Sequence, residues 1–360
     1  MVRAAFVSMT IAITLLAMER PAGAQCDPGW RPGPMSTALP GADGPIHAMT
    51  TYGSPARLIV AGEFSHVGGI AANNIAAWDG VNWTALDDGC DGAVHALTTY
   101  NGLLIAGGRF LSPGTRVAAW NGSTWAGMGE IGPPTPEGIN IVYAMAVFNG
   151  YLHVGGRFDT VNGVGINDNA ARYLNGTWSV AAGVSQEVRA MTVMDWDGAG
   201  PQSPALYIGG WGFRGLYYTH DGVSSTVIDG PVGKVYALTP WTGLLPPNGL
   251  VVGGDFDLWH RGNDDFITVK NIARLFGPGN QVLAIGGGVS GGRVQSLVPY
   301  GEDLFVGGTF DFVAGVFPTK GIARIDESEN AWATVAGGLT GGGASPLVNA
   351  MAVFNGFLYT

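Results

Sequence analysis

Two of the six histidines in this chain stand in equivalent places. His47 lies in the run Ile46-His47-Ala48-Met49, and His95 in Val94-His95-Ala96-Leu97. The same kind of run recurs five more times, with Tyr143, Arg189, Tyr236, Gln295 and Asn349 in the histidine's place. Brought together, these seven would form a ring of donors, acceptors and π faces, the kind of convergent polar lining that holds a ligand. The alternative is a solvated wall with no ligand. His47 and His95 do not make a metal site by themselves, since no carboxylate accompanies them. Oxygen ligands of the kind calcium takes cluster in two segments, with Asp159 and Asp168 in one and Asp255, Asp257, Asp264 and Asp265 in the other. Neither has EF-hand spacing, so they read as solvated acidic loops, and no cofactor is expected. Trp259 and His260, in the second segment, are expected to be exposed and to suit a contact with sugar or protein. No Ser-His-Asp arrangement with recognisable spacing appears, so the chain is expected not to be an enzyme.

The elements that must position these residues follow from a repeat. A double glycine occurs at Gly107-Gly108, Gly155-Gly156, Gly209-Gly210, Gly253-Gly254 and Gly307-Gly308, with Ala61-Gly62 as an altered copy. Each unit of roughly 45–50 residues has four pieces, in the size range of propeller repeats. They are the alternating run above, a run ending in Gly-Gly, a run such as Ile75-Ala76-Ala77-Trp78, and a piece centred on Trp83, Trp125, Trp178 or Trp332. All are too short for helices and rich in β-branched and aromatic residues. Asn101-Gly102, Asn149-Gly150, Asp79-Gly80, Asn121-Gly122 and Asn175-Gly176 punctuate them as hairpin turns.

Each unit therefore predicts a four-stranded antiparallel meander that cannot bury its own faces and must stack on its neighbours. Radial stacking of such sheets is a β-propeller, whose first strands line a central channel. Six units are complete from Ile46 to about Leu347, and a seventh opens at Val348 and reads as truncated at Thr360. Gly-Gly is expected to permit unusual backbone angles and close approach by the recurring Trp and Phe. Phe64, Phe110, Phe158, Phe256 and Phe310 are expected to pack under the loops that follow them. A phosphate cradle is excluded, because no helix follows the glycines. The fourth and fifth units lack the Trp, and the fourth shortens its middle loop to the five residues from Trp211 to Gly215.

A strand ending in Gly-Gly, then an aromatic strand, then a Trp strand at this period resembles the kelch-type β-propeller, in particular the repeats of exported bacterial propellers and fungal cortical cell-polarity markers. The resemblance covers about residues 45–360. It implies the fold and says little about activity. Galactose-oxidase-like enzymes also resemble kelch propellers, but need a copper site with a Cys bonded to a Tyr. Here the cysteines are Cys26 and Cys90, neither on a blade strand. Sialidases resemble the fold too, and Asn121-Gly122-Ser123-Thr124-Trp125 is a partial echo of their turn. A propeller enzyme acting on carbohydrate, oxidase- or glycosidase-like, is the alternative to a non-catalytic exported binding or scaffold module.

Composition supports export. Arg3, an uncharged stretch from Ala4 to Met18 and Ala22-Gly23-Ala24 read as a signal peptide over residues 1–24. Its apolar core is short for a membrane span. Residues 25–44 form an N-terminal segment whose Trp30 to Leu39 stretch is expected to close the last blade, and the propeller occupies 45–360. The expected location is secreted, periplasmic or cell-surface. In such a compartment Cys26 and Cys90 read as a disulfide, contributing on the order of 4 kcal/mol in the chain-entropy picture. A net charge of −10 argues against nucleic acid as a partner, and leaves protein or carbohydrate.

Overall fold

The computed structural model describes residues 41–360, apart from 134–139, 167–168, 182–183, 185, 199, 214, 243–247, 264, 278–280, 316, 327–330, 336–338 and 340–346. Signal peptide, Cys26 and the expected closing strand lie outside the described residues. Every regular element among those described is a β-strand.

The second unit shows the local logic. Strands Val94–Tyr100, Leu103–Gly108, Val117–Trp120 and Trp125–Gly127 pair antiparallel in sequence order. Asn101 and Gly102 join the first two with φ of 49° and 79°, the pair of positive angles a two-residue hairpin demands. The turn between the third and fourth strands works differently. Asn121 Oδ1 accepts the amide N–H groups of Ser123 and Thr124, both at 2.9 Å, so a side chain closes it. Asp79 does the same in the first unit, accepting from Val81 and Asn82. The sialidase-like echo at Asn121 is thus a repeated turn cap.

Separate four-stranded sheets of this order form at the first, second, third and sixth units. The fourth and fifth share one nine-stranded sheet. Strand Ala205–Phe213 runs past its Gly-Gly, and Trp211, Gly212 and Phe213 pair with Lys234, Gly233 and Val232 of strand Pro231–Trp241. The shortened middle loop of the fourth unit is what allows this overrun. A final pair, Ala352–Phe354 and Phe357–Tyr359, forms a two-stranded sheet.

First strands of successive units touch one another in order, and Ala352–Phe354 touches both Val294–Tyr300 and Ile46–Tyr52. Ala352 and Phe354 enter the core of the first sheet with Leu58, Val60, Phe64 and Trp78. Two repeated hydrogen bonds clasp neighbours. Trp125, Trp178 and Trp332 donate their indole N–H to carbonyls of the preceding unit's exit loop, at Leu86 (2.9 Å), Met128 (2.5 Å) and Gly286 (2.8 Å). Tyr52, Tyr100 and Tyr300 donate their hydroxyls to Gly102, Gly150 and Gly356 in the following unit's hairpin turn.

Gly-Gly plays a different part from the one expected. None of these glycines has a positive φ, and apart from Phe256, whose ring crowds Gly254, their nearest neighbours are not Trp or Phe. A Cβ on Gly107 would lie 2.7 Å from Val142 Cγ1, and one on Gly155, Gly253 or Gly307 2.4–2.5 Å from Val188, Val294 or Val348. The first glycine thus makes room for the next unit's first strand. A Cβ on the second would meet a backbone carbonyl oxygen, 2.1 Å away for Gly108 and Ala93, 1.9 Å for Gly156 and Ile141. The five Phe residues after the glycines are buried, Phe110 and Phe310 completely.

Candidate functional site

The carbonyl that excludes a Cβ at the second glycine belongs to a bulge. In six first strands the pairing register shifts across one residue, at Ile46/Ala48, Val94/Ala96, Val142/Ala144, Val188/Ala190, Val235/Ala237 and Val294/Ser296. The residue skipped is each time the slot residue: His47, His95, Tyr143, Arg189, Tyr236 or Gln295. A β-bulge adds one unpaired residue and turns its side chain out of the strand's alternation. Valines on one side stay buried in the stack, while the slot residues are half-buried. The apolar–polar–apolar run and its Gly-Gly partner are two halves of one device that aims a polar side chain.

The bulges bring five slot residues into a continuous row. His47 and His95 stack with ring centroids 4.6 Å apart and planes 29° from parallel. Tyr143 meets His95 edge-on at 5.3 Å. Arg189 Cζ lies 3.7 Å from the centroid of Tyr143 and 6.0 Å from that of Tyr236. Arg293, two residues before Gln295, covers Tyr236 from 5.2 Å. Gln295 fills the slot in the sixth unit, half-buried, and Asn349, also half-buried, precedes strand Ala352–Phe354; Gln295 Oε1 is buried without a hydrogen-bond partner.

Burial sets the protonation of the row. It pushes the His95 imidazole down to about 3, with the positive surroundings of His47, Arg189 and Arg109 adding to the effect. His47 is also lowered by burial, partly opposed by Glu63. Both rings are therefore neutral near neutral pH, and two neutral rings can stack closely. Arg189 forms an ion pair with Glu187. Stacked imidazoles do not converge on one point, and among the described residues no group of three His, Cys, Asp or Glu could hold a metal ion.

Around this row runs a rim of paired backbone positions. Each residue after Gly-Gly faces the residue before the first-strand run: Glu63 and Pro45, Arg109 and Ala93, Arg157 and Ile141, Trp211 and Glu187, Asp255 and Lys234, Thr309 and Arg293. Arg109, Arg157, Lys234 and Arg293 join Arg189 there, against Glu63, Glu187 and Asp255. A chain of net charge −10 thus gathers an excess of cations at one place. Beside the rim, between the fifth and sixth units, lies a cleft of about 450 Å³ whose walls include Asp255, Asp257, Lys270, Ser290, Arg293 and Thr309.

Several expected site residues fall elsewhere. Trp259 and His260 are not exposed but 1% and 2% accessible. They end strand Gly249–His260, which is covered by Pro231–Trp241 on one side and Phe266–Thr268 on the other. Trp259 donates to Asp229 O at 2.9 Å, and His260 Nδ1 lies 3.0 Å from Asp229 Oδ1. They cannot serve as a surface contact. Trp211, which the sequence did not single out for this, is 53% exposed on the rim. Of the acidic residues, Asp255 and Asp257 line the cleft, Asp265 pairs with Arg261 at 2.6 Å, and Asp168 and Asp264 lie outside the described residues. Cys90 is a free, buried thiol whose pKa burial pushes up to about 12, while Cys26, its expected partner, lies outside the described residues.

A Ser-His-Asp cluster that spacing did not announce forms at Asp43, Ser65 and His66. Ser65 Oγ donates to Asp43 Oδ2 at 2.6 Å, and both Ser65 Oγ (2.9 Å) and Asp43 Oδ2 (3.2 Å) approach the same nitrogen, His66 Nδ1. A charge relay needs the two partners on different ring nitrogens. Asp43 also accepts the amides of Ser65 and His66, and Asp91 accepts those of Leu111 and Ser112 in the next unit. The cluster is therefore one copy of a repeated loop cap.

No protein-family model matches the chain, and no curated protein matches it either. The kelch likeness thus remains a resemblance of motifs. Among solved structures, the computationally designed Ika8 protein is similar at 16% identity with a TM-score of 0.51, over 89% of this chain and 94% of the other. The extracellular domain of the one-component system BT4673 from B. thetaiotaomicron is similar at 11% identity with a TM-score of 0.54. That match covers 88% of this chain and 37% of that one. At such identities the likeness concerns the fold alone.

Proposed function

We propose that this chain is an exported, non-catalytic binding module built as a β-propeller, with the bulge-aimed row of His47, His95, Tyr143, Arg189 and Tyr236 lining its central channel. Six complete units and the strand pair after Val348 make up the propeller. The reading of a closed disc is supported by the contacts of Ala352–Phe354 with both the sixth and the first unit. Small-angle scattering tests it: a closed disc of this length should have a radius of gyration of about 20 Å, and a distinctly larger value would mean an open arc.

One observation carries the binding function. The same backbone device is repeated six times to place a polar or aromatic side chain where an apolar one would continue the strand. A solvated wall needs no such stacking of imidazole on imidazole and guanidinium on phenol. The partner is a protein or a carbohydrate outside the cell, a location in keeping with the signal-like leader and with the extracellular domain that shares the fold. The test is a binding screen of the full chain against oligosaccharide and peptide libraries, repeated with His95→Ala and Arg189→Ala. Loss of a ring contact to a bound ligand should weaken binding about tenfold or more. A ligand whose affinity survives both substitutions would place the site elsewhere.

A further inference from the structure

The rim is not uniform, and its asymmetry identifies a chemical class of ligand; this inference rests on the binding function proposed above and deepens it. Between Glu187 and Thr309 the rim carries the exposed indole of Trp211, with Lys234 Nζ 4.2 Å from its ring centroid. Next comes Tyr236, flanked by the guanidinium groups of Arg189 and Arg293. Arg293 then forms part of the 450 Å³ cleft. Water occupies about 30 Å³ per molecule, so the cleft has room for a saccharide of one or two rings.

The unmet hydrogen bonds of this corner are specific. Arg293 Nε is buried without a partner, and among the described residues no carboxylate pairs with this guanidinium. Gln295 Oε1, a buried acceptor without a donor, lies two residues on and outside the cleft wall. The guanidinium asks for an anion. Asp255 and Asp257 on the cleft wall are exposed acceptors suited to hydroxyls. A neutral, apolar ligand would leave all of these unsatisfied, at a cost.

We propose that the cleft between the fifth and sixth units binds an acidic saccharide of the hexuronate type, with its carboxylate on Arg293 and its hydroxyls on Asp255 and Asp257. The guanidinium fork matches a carboxylate in a way an ammonium does not.

The experiment is calorimetric titration of the full chain with digalacturonate and diglucuronate, each against its methyl ester, which keeps the shape and removes the charge. At least one acid should bind about tenfold or more tightly than its ester, since a hydrogen bond to a charged group is worth about that much. The preference should shrink as salt is raised. Arg293→Gln should bring the acid to the level of its ester, and Arg293→Lys should restore part of the difference. Asp257→Asn should weaken acid and ester alike. Unchanged circular dichroism and melting of these variants would show that binding, not folding, is read. Esters binding as well as acids, no binding of either acid, or an Arg293→Gln variant with unaltered preference would each overturn the proposal. His95→Ala separates it from the broader reading. If that variant loses the acid while Arg293→Gln keeps it, the ring binds and the cleft proposal fails. If Arg293→Gln loses it and His95→Ala keeps it, the cleft stands and the ring is only a wall.

Discussion

The first three units and the fused fourth and fifth solve the same packing problem by different means. In the first three, each sheet is separate, and in the second and third a fourth-strand indole bonds back to the unit before it, Trp125 to Leu86 and Trp178 to Met128. The fifth unit has no fourth-strand Trp; Gln281–Ala284 stands there. Its second strand instead runs on to Trp259, whose indole N–H reaches Asp229, in the exit loop of the fourth unit. One clasp has been replaced by another of the same chemistry from a different strand. What the fold conserves here is the bond between neighbours and not the residue that makes it. The rim positions common to all units are filled in this half by Trp211 and Lys234, so the irregular half presents an exposed indole there that the regular half lacks.

The sharpest way to break this comparison is to remove each clasp in turn. Trp259 is fully buried, so Trp259→Ala should cost about 4 kcal/mol through cavity and transfer terms. Trp125, partly buried, should cost less on the same change, about 2 kcal/mol. Urea unfolding measures both. Equal small losses would mean that the fused sheet, not the indole, holds the fifth unit in place. Next in size are Gly108→Ala and Gly254→Ala. Each puts a Cβ within about 2 Å of a backbone carbonyl, of Ala93 and of Lys234. Neither strand can move without breaking its bulge, so each should lose about 2–3 kcal/mol. Similar losses in both halves would show that the bulge is common to them, and a tolerated Gly254→Ala would show that the fused sheet bends where the separate one does not.

The regular half was the legible half. Asn101-Gly102 and Asn149-Gly150 announced their hairpins, and the apolar runs announced their strands, because both depend on neighbours in sequence. The slot from His47 to Asn349 was legible as a pattern, yet the bulge that aims it was not, since a register shift is a property of two strands. The same limit explains the error over Gly-Gly. A Cβ at Gly107 would strike Val142, some 35 residues on and in another sheet, and spacing within one unit cannot reveal that. Trp259 and His260 misled because their polar, acidic neighbourhood reads as a loop. The cover comes from Pro231–Trp241 and Phe266–Thr268, and nothing in the run itself foretells that pairing.

pH should divide the halves as well. The titratable rings of the row, His47 and His95, both belong to the regular half, while the fourth and fifth units offer Arg189 and Tyr236. Burial lowers His95 to about 3 and His153, also in the regular half, to about 4, the latter with help from Arg172. The unfolded chain takes up these protons near pH 6.5, and the folded chain holds them off until about 3 to 4. Between those limits the unfolded state binds more protons, so stability is full above pH 6.5 and falls as pH drops toward 3. Melting followed from pH 7 to 4 should show this decline, and His95→Gln should flatten part of it. A slope unchanged by that substitution would mean that the stacked pair is already open to water.

The smallest effect tests the other clasp. Tyr100 gives its hydroxyl proton to Gly150 O at 3.1 Å, and Tyr52 and Tyr300 make the same bond to the next turn. At the equivalent place in the fifth unit stands Trp241, buried against Val251 and Ile272, which has no hydroxyl to give. Tyr100→Phe should therefore cost only about 1 kcal/mol, the net worth of one hydrogen bond whose acceptor can still reach water. Trp241→Phe would remove packing instead, and should cost about 1–2 kcal/mol more than Tyr100→Phe. If Tyr100→Phe were the more damaging of the two, the turn-to-turn bond would be the principal link between units, and the fused half, which dispenses with it, would have to be the less stable part of the molecule by hydrogen exchange.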